Sequence, residues 1–269
     1  MIDLHTHVLP DFDDGAKDSR MAVKMCCQAA EDGVHGIVAT PHFFRGLFPT
    51  PELHSVHEAV PELQQLCERS RVPKFQVCLG ADCHLHADII ENVRAGRVPT
   101  LNGSGYLLLE MPDGSLPPRI KNLIFDMRIV GMTPIITHPE RNTVLSKHPS
   151  ILYEFLKGGA YAQVTGASLT GLFGSTAQEA AELMVANRLV QIIASDGHDP
   201  ERHPAILSPA VDAAAALIGR KLAEQMVDDV PRAVLENKPI RFPEPIRPQH
   251  ARKKSLWRRI VGAKQWDLR

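Results

Sequence analysis

An α/β barrel of mostly parallel strands is the fold that this sequence predicts, and two observations carry the prediction. Seven short apolar runs recur at spacings of about 26 to 40 residues, most of them followed by a stretch of helical periodicity, the pattern of βα units. Six of the seven close on His, Asp or Glu, and the carboxyl ends of barrel strands are the face that carries an active site. At 269 residues, 44% hydrophobic and 23% charged, the chain fits one barrel of roughly 200–250 residues better than two small domains.

The first run, residues 2–7, sets His5 and His7 two apart, so both face one side of a strand. An acidic turn with Asp11, Asp13, Asp14 and Gly15 follows at once. Ala22, Met25, Cys26, Ala29 and Ala30 predict a helix over 18–33, with Ser19 as N-cap and Gly33 as its stop. The second run, 36–42, ends on His42, and Arg45 to Phe48 form a loop. Leu53, Val56, Val60, Leu63 and Leu66 make the next helical stripe; Pro61 within it predicts a kink or two shorter helices. Runs 75–82 and 106–110 close on Asp82 and Glu110, with a short helix over 89–93 between them. A helix over 120–127 leads to run 133–138, which closes on His138 with Glu140 and Arg141 directly behind. A helix over 151–156, run 161–165 and a helix over 176–187 precede the seventh run, 189–198, which closes on Asp196 and His198. Helices over 210–217 and 222–227 finish the globule.

Composition removes several function classes. A net charge of −1 and a pI near 6.9 leave no global polycation for nucleic acid. The longest apolar stretch, 205–219, contains Pro209 and Asp212, so no run is membrane-spanning. Histidines of metal-ligand type begin at position 5, which leaves no room for a leader ahead of the fold. Five cysteines without a disulfide framework suit a reducing cytoplasm. None has an arginine six residues later, so cysteine-based phosphatase chemistry is excluded, and small buried packing is their expected role.

The rim candidates are His5, His7, Asp14, His42, Asp82, Glu110, His138, Asp196 and His198. A single strand-end carboxylate is ordinarily a helix cap, and a single histidine a satisfied core residue. Those readings do not explain the same chemistry strand after strand around one rim. Five imidazoles and four carboxylates exceed the coordination of one ion, so two to three divalent ions fit the count. All-N/O ligation points to Mn²⁺, Fe or Zn²⁺. Closely spaced ions of this kind activate a water and clamp the oxygens of an in-line displacement, which suits phosphoester hydrolysis. Arg141, three residues past His138, is the expected phosphate clamp, since a guanidinium matches phosphate bidentately. Arg45 is a second, weaker candidate. His84 and His86 are expected beyond the rim, as surface residues.

IDLHTH, DFDDG, TPH, LGAD, LLLE, THPER and SDGH, in this order, resemble the polymerase-and-histidinol-phosphatase (PHP) superfamily. More narrowly they are similar to bacterial PHP-type protein-tyrosine phosphatases of capsule and exopolysaccharide synthesis, from residue 1 to about 237. The resemblance implies a distorted (β/α)₇ TIM-like barrel over 1–241. It implies a trinuclear site, Mn²⁺ first among its metals: one ion on His5, His7, Asp82 and Asp196, a second on Asp82, Glu110 and His138, a third on Asp14, His42 and His198. Arg141, Arg45 and Asp14 stand nearest the chemistry, with Asp11, Asp13 or a metal-bound water as the acid. The implied substrate is the phosphotyrosine tail of a bacterial tyrosine autokinase. One departure is Asp82, where the family usually has glutamate; the shorter side chain is expected to shift the backbone or weaken one site. A histidinol-phosphate or other small-molecule phosphoesterase, and a catalytically silent metal- or partner-binding module, are the competing readings.

Residues 242–269 change character. Pro243, Pro245 and Pro248 precede a run rich in Arg and Lys that also holds Leu256, Trp257, Ile260, Val261 and Trp266. This basic, amphipathic tail is expected either to touch an anionic membrane surface or acidic partner, or to be a disordered basic tail or a final helix packed on the barrel.

Overall fold

The computed structural model describes residues 1–248 apart from 71, 73 and 74. The basic, tryptophan-bearing part of the tail expected to reach a membrane or partner, 249–269, therefore lies outside the described residues. Nine strands are present among those described: β1 (Ile2–Thr6), β2 (Gly36–Ala39), β3 (His42–Phe43), β4 (Gln76–Leu79), β5 (Asp82–His84), β6 (Tyr106–Glu110), β7 (Thr133–Thr137), β8 (Tyr161–Thr165) and β9 (Ile192–Ala194). They pair in parallel in the orders β1-β2-β4 and β3-β5-β6-β7-β8-β9.

Two of the seven predicted runs are each broken in the middle. The second splits into β2 and β3 at Pro41, which has no N–H to give to a ladder. The third splits into β4 and β5 at Gly80, where a Cβ would lie 2.6 Å from Val38 and 2.9 Å from Leu101. Counting each pair as one, seven parallel runs form a ring. A bridge between Thr6 and Gly197 closes it, flanked by Asp196 N–H donating to the His5 carbonyl and His7 N–H to that of Gly197. The closure is lopsided, a bridge rather than a ladder, and the barrel is distorted accordingly.

The ring is filled in two tiers. Leu4, Val38, Cys78, Leu108, Ile135 and Ile192 form an apolar lower tier, plugged from below by Val230 and Val234. Two residues further along several of the same strands, the inward face turns polar: Leu108 is followed by Glu110. β1 behaves differently. Its register against β2 slips by one residue between Asp3 and Thr6, a bulge that puts Leu4 in the apolar tier and its neighbour His5 in the polar one.

Helices cover the outside: α1 (Ser19–Glu31), α2 (Leu53–Arg69), α3 (Ile89–Arg94), α4 (Ile120–Ile129), α5 (Pro149–Lys157), α6 (Gly166–Leu169), α7 (Ser175–Ala186), α8 (Ser208–Ile218), α9 (Arg220–Gln225) and α10 (Asp229–Leu235). Asp18, not Ser19, caps α1, its carboxylate accepting from the Met21 N–H at 2.8 Å. α2 runs unbroken through Pro61. That proline sits on the exposed face, where the His57 carbonyl it deprives of a donor meets water. α10, which supplies the plug, is a helix beyond those expected. Phe242 packs on the core, Ile246 N–H bonds the Asn187 carbonyl at 2.8 Å, and the Arg247 guanidinium reaches Glu154 at 3.0 Å. Among the described residues no helix is long and apolar enough to cross a membrane.

Candidate metal centre

All nine candidate ligands meet in the polar tier. His5 Nε2 and His7 Nε2 are 3.1 Å apart, and Asp196 Oδ1 lies 3.3 Å from the first and 3.4 Å from the second. Donor atoms sharing one cation at roughly 2.1 Å stand about 3 Å from one another, which is the size of this triangle. His42, Asp82 and Glu110 form a second group, with His42 Nδ1 3.1 Å from Asp82 Oδ2 and 3.8 Å from Glu110 Oε2. His138 joins it, its Nε2 at 3.6 Å from Glu110 Oε1. A third group holds His7, Asp14, His42 and His198, with Asp14 Oδ1 3.4 Å from His198 Nε2 and 3.6 Å from His42 Nε2. His42 and His7 are thus each shared between two groups, whereas the expected sets shared Asp82 and placed His42 in the third alone.

Neighbouring residues fix which nitrogen three of the five histidines present. His5 Nδ1 pairs with Gln163 Oε1 at 3.0 Å, His7 Nδ1 with Asp13 Oδ2 at 2.7 Å, and His198 Nδ1 with the Asp196 carbonyl at 2.6 Å. A donor on Nδ1 leaves Nε2 with its lone pair free, the arrangement that supports a metal-bound imidazole. Asp13 also accepts from the backbone N–H of His42 at 3.1 Å and of Gly15 at 3.0 Å. It is therefore an orienting carboxylate, and its candidacy as the acid is withdrawn.

The donor set fits divalent ions on an independent observation. Both carboxylate oxygens of Asp82 and His42 Nδ1 are buried and make no aligned hydrogen bond, the 3.1 Å approach of His42 Nδ1 to Asp82 Oδ2 included. An ionised carboxylate stripped of water in this way is costly unless a cation meets it. Asp82 would hold that cation with His42 and Glu110; Asp196 would hold another with His5 and His7.

The electrostatics follow from burial opposed by opposite charge. Burial alone would raise the Asp196 carboxyl, but His5, His7 and His198 hold it well below the usual range. Asp82 is likewise lowered against its burial, by His5 and His42. Burial works against charge on His7, yet Asp13 and then Asp196 outweigh it and raise its pKa well above the ordinary imidazole value. Divalent ions compete with that proton. Mn²⁺ binding is therefore expected to release protons and to weaken as pH falls, by about tenfold per unit for each proton displaced. Calorimetric titrations in two buffers of different ionisation enthalpy check this; buffer-independent heats would contradict it.

Backbone strain concentrates here. His138 and Asp196 have φ of 32° and 55°, in the left-handed region that residues with a Cβ rarely enter. Gly15 closes the acidic turn so tightly that a Cβ would lie 2.0 Å from the His7 carbonyl oxygen. Gly15→Ala is expected to lower stability by at least about 2 kcal/mol and to displace Asp14. Chemical denaturation and activity measured together test it.

Arg141 stands at the mouth, 37% exposed, its Nη1 2.7 Å from Asp196 Oδ2 and its guanidinium 4.7 Å over the Phe173 ring. Arg45 pairs with Glu110 and lies 3.4 Å from His42 Nε2. His84 overturns the expectation that it lies past the rim: its Nδ1 is 3.2 Å from Glu110 Oε2. It follows Asp82 by two positions on β5, and strand periodicity alone turns it inward. His86 is exposed, as expected. Glu140 was unassigned. It is buried, bonded to the Ser168 hydroxyl at 2.7 Å and the Thr165 N–H at 3.1 Å, and burial raises its carboxyl to about 7.

Comparison with known proteins places this architecture. The chain is 30% identical over 253 residues to the tyrosine-protein phosphatase YwqE of Bacillus subtilis strain 168, covering 94% of this chain and 98% of that one. It is 32% identical over 209 residues to the putative tyrosine-protein phosphatase CapC of Staphylococcus aureus, covering 77% and 80%. Identity to the tyrosine-protein phosphatase CpsB of Streptococcus pneumoniae is 28% over 240 residues, covering 87% and 98%. A crystal structure from work on YwqE and CpsB, described as unique metal-dependent tyrosine phosphatases, superposes with a TM-score of 0.88 at 30% identity, covering 93% of this chain and all of that one. The dihydropyrimidinase of Brevibacillus agri NCHU1002, at 12% identity and a TM-score of 0.50 over 91% of this chain and 72% of that one, shares the fold alone. The family model for capsular polysaccharide synthesis, CpsB/CapC, matches residues 1–236, and the chain belongs to that family.

Proposed function

We propose that this protein is a metal-dependent protein-tyrosine phosphatase of capsule or exopolysaccharide synthesis, with residues 1–241 as its catalytic unit. The observation that carries the reading is the convergence of nine His, Asp and Glu side chains from opposite ends of the sequence into one cup, with an arginine at its mouth. His5, His7, Asp196, Asp82, Glu110, His138, Asp14, His42 and His198 would hold two to three divalent ions, Mn²⁺ foremost. When bound, such ions polarise phosphoryl oxygens and lower the pKa of water.

The chain's own groups supply the rest. Arg141, held between Asp196 and Phe173, offers its remaining N–H groups to phosphate oxygens. Arg45, on the far side of His42, is a second cation at the same mouth. Asp14, half exposed, is held ionised by His198 and so stands at the rim as a ligand rather than as a proton donor; a departing phenolate makes little demand on an acid. A tyrosine kinase whose phosphorylated tail is extended enough to enter the cup fits as substrate.

Full-length protein supplied with Mn²⁺ should hydrolyse phosphotyrosine peptides and leave histidinol phosphate untouched. The opposite preference would favour the small-molecule phosphoesterase. Failure to hydrolyse even p-nitrophenyl phosphate would leave the silent binding module.

A further inference from the structure

We infer that a cavity beside the metal centre is a second subsite, which receives an apolar side chain flanking the phosphotyrosine of a peptide substrate. The inference rests on the phosphatase reading above and extends it to the substrate's sequence. The cavity holds about 420 Å³ between α6 and the 200–210 loop, and Ala167, Leu172, Ser195, Arg202, Pro204 and Ile206 line it. Its apolar walls are small or branched, and Arg202 is exposed at its edge.

The link to the chemistry is a shared partition. Phe173 follows Leu172, and His203 precedes Pro204, so each cavity wall continues into one ring of an aromatic pair. Those rings meet edge to face with centroids 5.0 Å apart. The Arg141 guanidinium lies over Phe173, and His203 stacks on the candidate ligand His198 at 5.4 Å. The His203 Nε2–H donates to the Ser195 carbonyl at 3.0 Å, which fixes the partition to the strand that carries Asp196. Ser195 itself faces the cavity while Asp196 faces His5 and His7. A phosphate on Arg141 and a side chain in the cavity are thus one partition apart, a separation that one peptide covers and a phenyl phosphate cannot. Pockets of this size that are mostly apolar with a few polar groups are built for organic side chains rather than ions.

The test uses full-length protein with Mn²⁺ and two series of phosphotyrosine peptides, with alanine or leucine at the positions within two residues of the phosphotyrosine. kcat/KM should favour the best leucine peptide over its alanine counterpart by about tenfold. Ala167→Trp, which fills the cavity, should abolish that preference while p-nitrophenyl phosphate turnover stays within about twofold of the parent. Thr170→Trp, at the exposed lip, repeats the test should the first variant misfold. No leucine preference in the parent, or the same preference in both variants, overturns the subsite. Peptides carrying a non-hydrolysable phosphonate separate this outcome from failure of the phosphatase reading. Leucine-dependent affinity by calorimetry without any turnover would keep the subsite and discard the phosphatase; neither affinity nor turnover would discard both.

Discussion

Asp196→Asn is expected to reduce hydrolysis of p-nitrophenyl phosphate by about 10³-fold and to lower the bound Mn²⁺ measured by elemental analysis. The substitution keeps the shape of the side chain and removes its charge. Asp196 is the point where three interactions meet: His5 Nε2 at 3.3 Å, His7 Nε2 at 3.4 Å and Arg141 Nη1 at 2.7 Å. An amide cannot match an anion as a cation's ligand, and its NH₂ must take one of the two oxygen positions, opposing either the donors of Arg141 or a cation between His5 and His7. Without its counter-charge, His7 remains partnered by Asp13 alone, so retained folding with lost metal is the expected signature. Parent-like metal content and turnover in this variant would remove the triangle of His5, His7 and Asp196 from the site.

Arg141→Ala separates substrate binding from metal binding. Its expected cost is about 10²-fold to 10³-fold in kcat/KM, comparable with removing one donor from an oxyanion site. Mn²⁺ content should hold, because His5, His7 and Asp196 keep their places. Arg141→Lys should recover part of the loss at most, since a lysine offers a point charge where the guanidinium offers a fork stacked on Phe173. A loss of metal alongside activity would instead show that the Arg141 contact to Asp196 is structural.

The ring of strands was legible because parallel strands buried on both faces read as continuous apolar runs, and each run ended on a polar residue. The convergence of the candidate ligands was legible for the same reason. His84 was missed although strand periodicity from Asp82 points it inward; grouping it with His86 beyond the rim hid that. Gln163, an amide in the middle of an apolar strand, carried a signal that went unread, since a buried amide needs a partner and the His5 ring supplies it. The orienting role of Asp13 could not be read from sequence, because it depends on a turn whose geometry Gly15 sets. The slip in β1 is beyond periodicity altogether: an inserted residue is visible only against the strand it pairs with. Pro61 misled because propensity predicts the loss of a hydrogen bond but not which side of the helix loses it.

The bridge between Thr6 and Gly197 has a consequence for when the protein becomes competent. Asp196 and His198 lie beyond the seventh strand, so a nascent or truncated chain that ends before β9 has His5 and His7 without the one carboxylate that meets both Nε2 atoms. The early histidines must wait for the most distant contact in the barrel, the kind whose loop-closure cost makes it slow. Capture of an ion by the triangle of His5, His7 and Asp196 would then come at the end of folding and act as a latch on the ring.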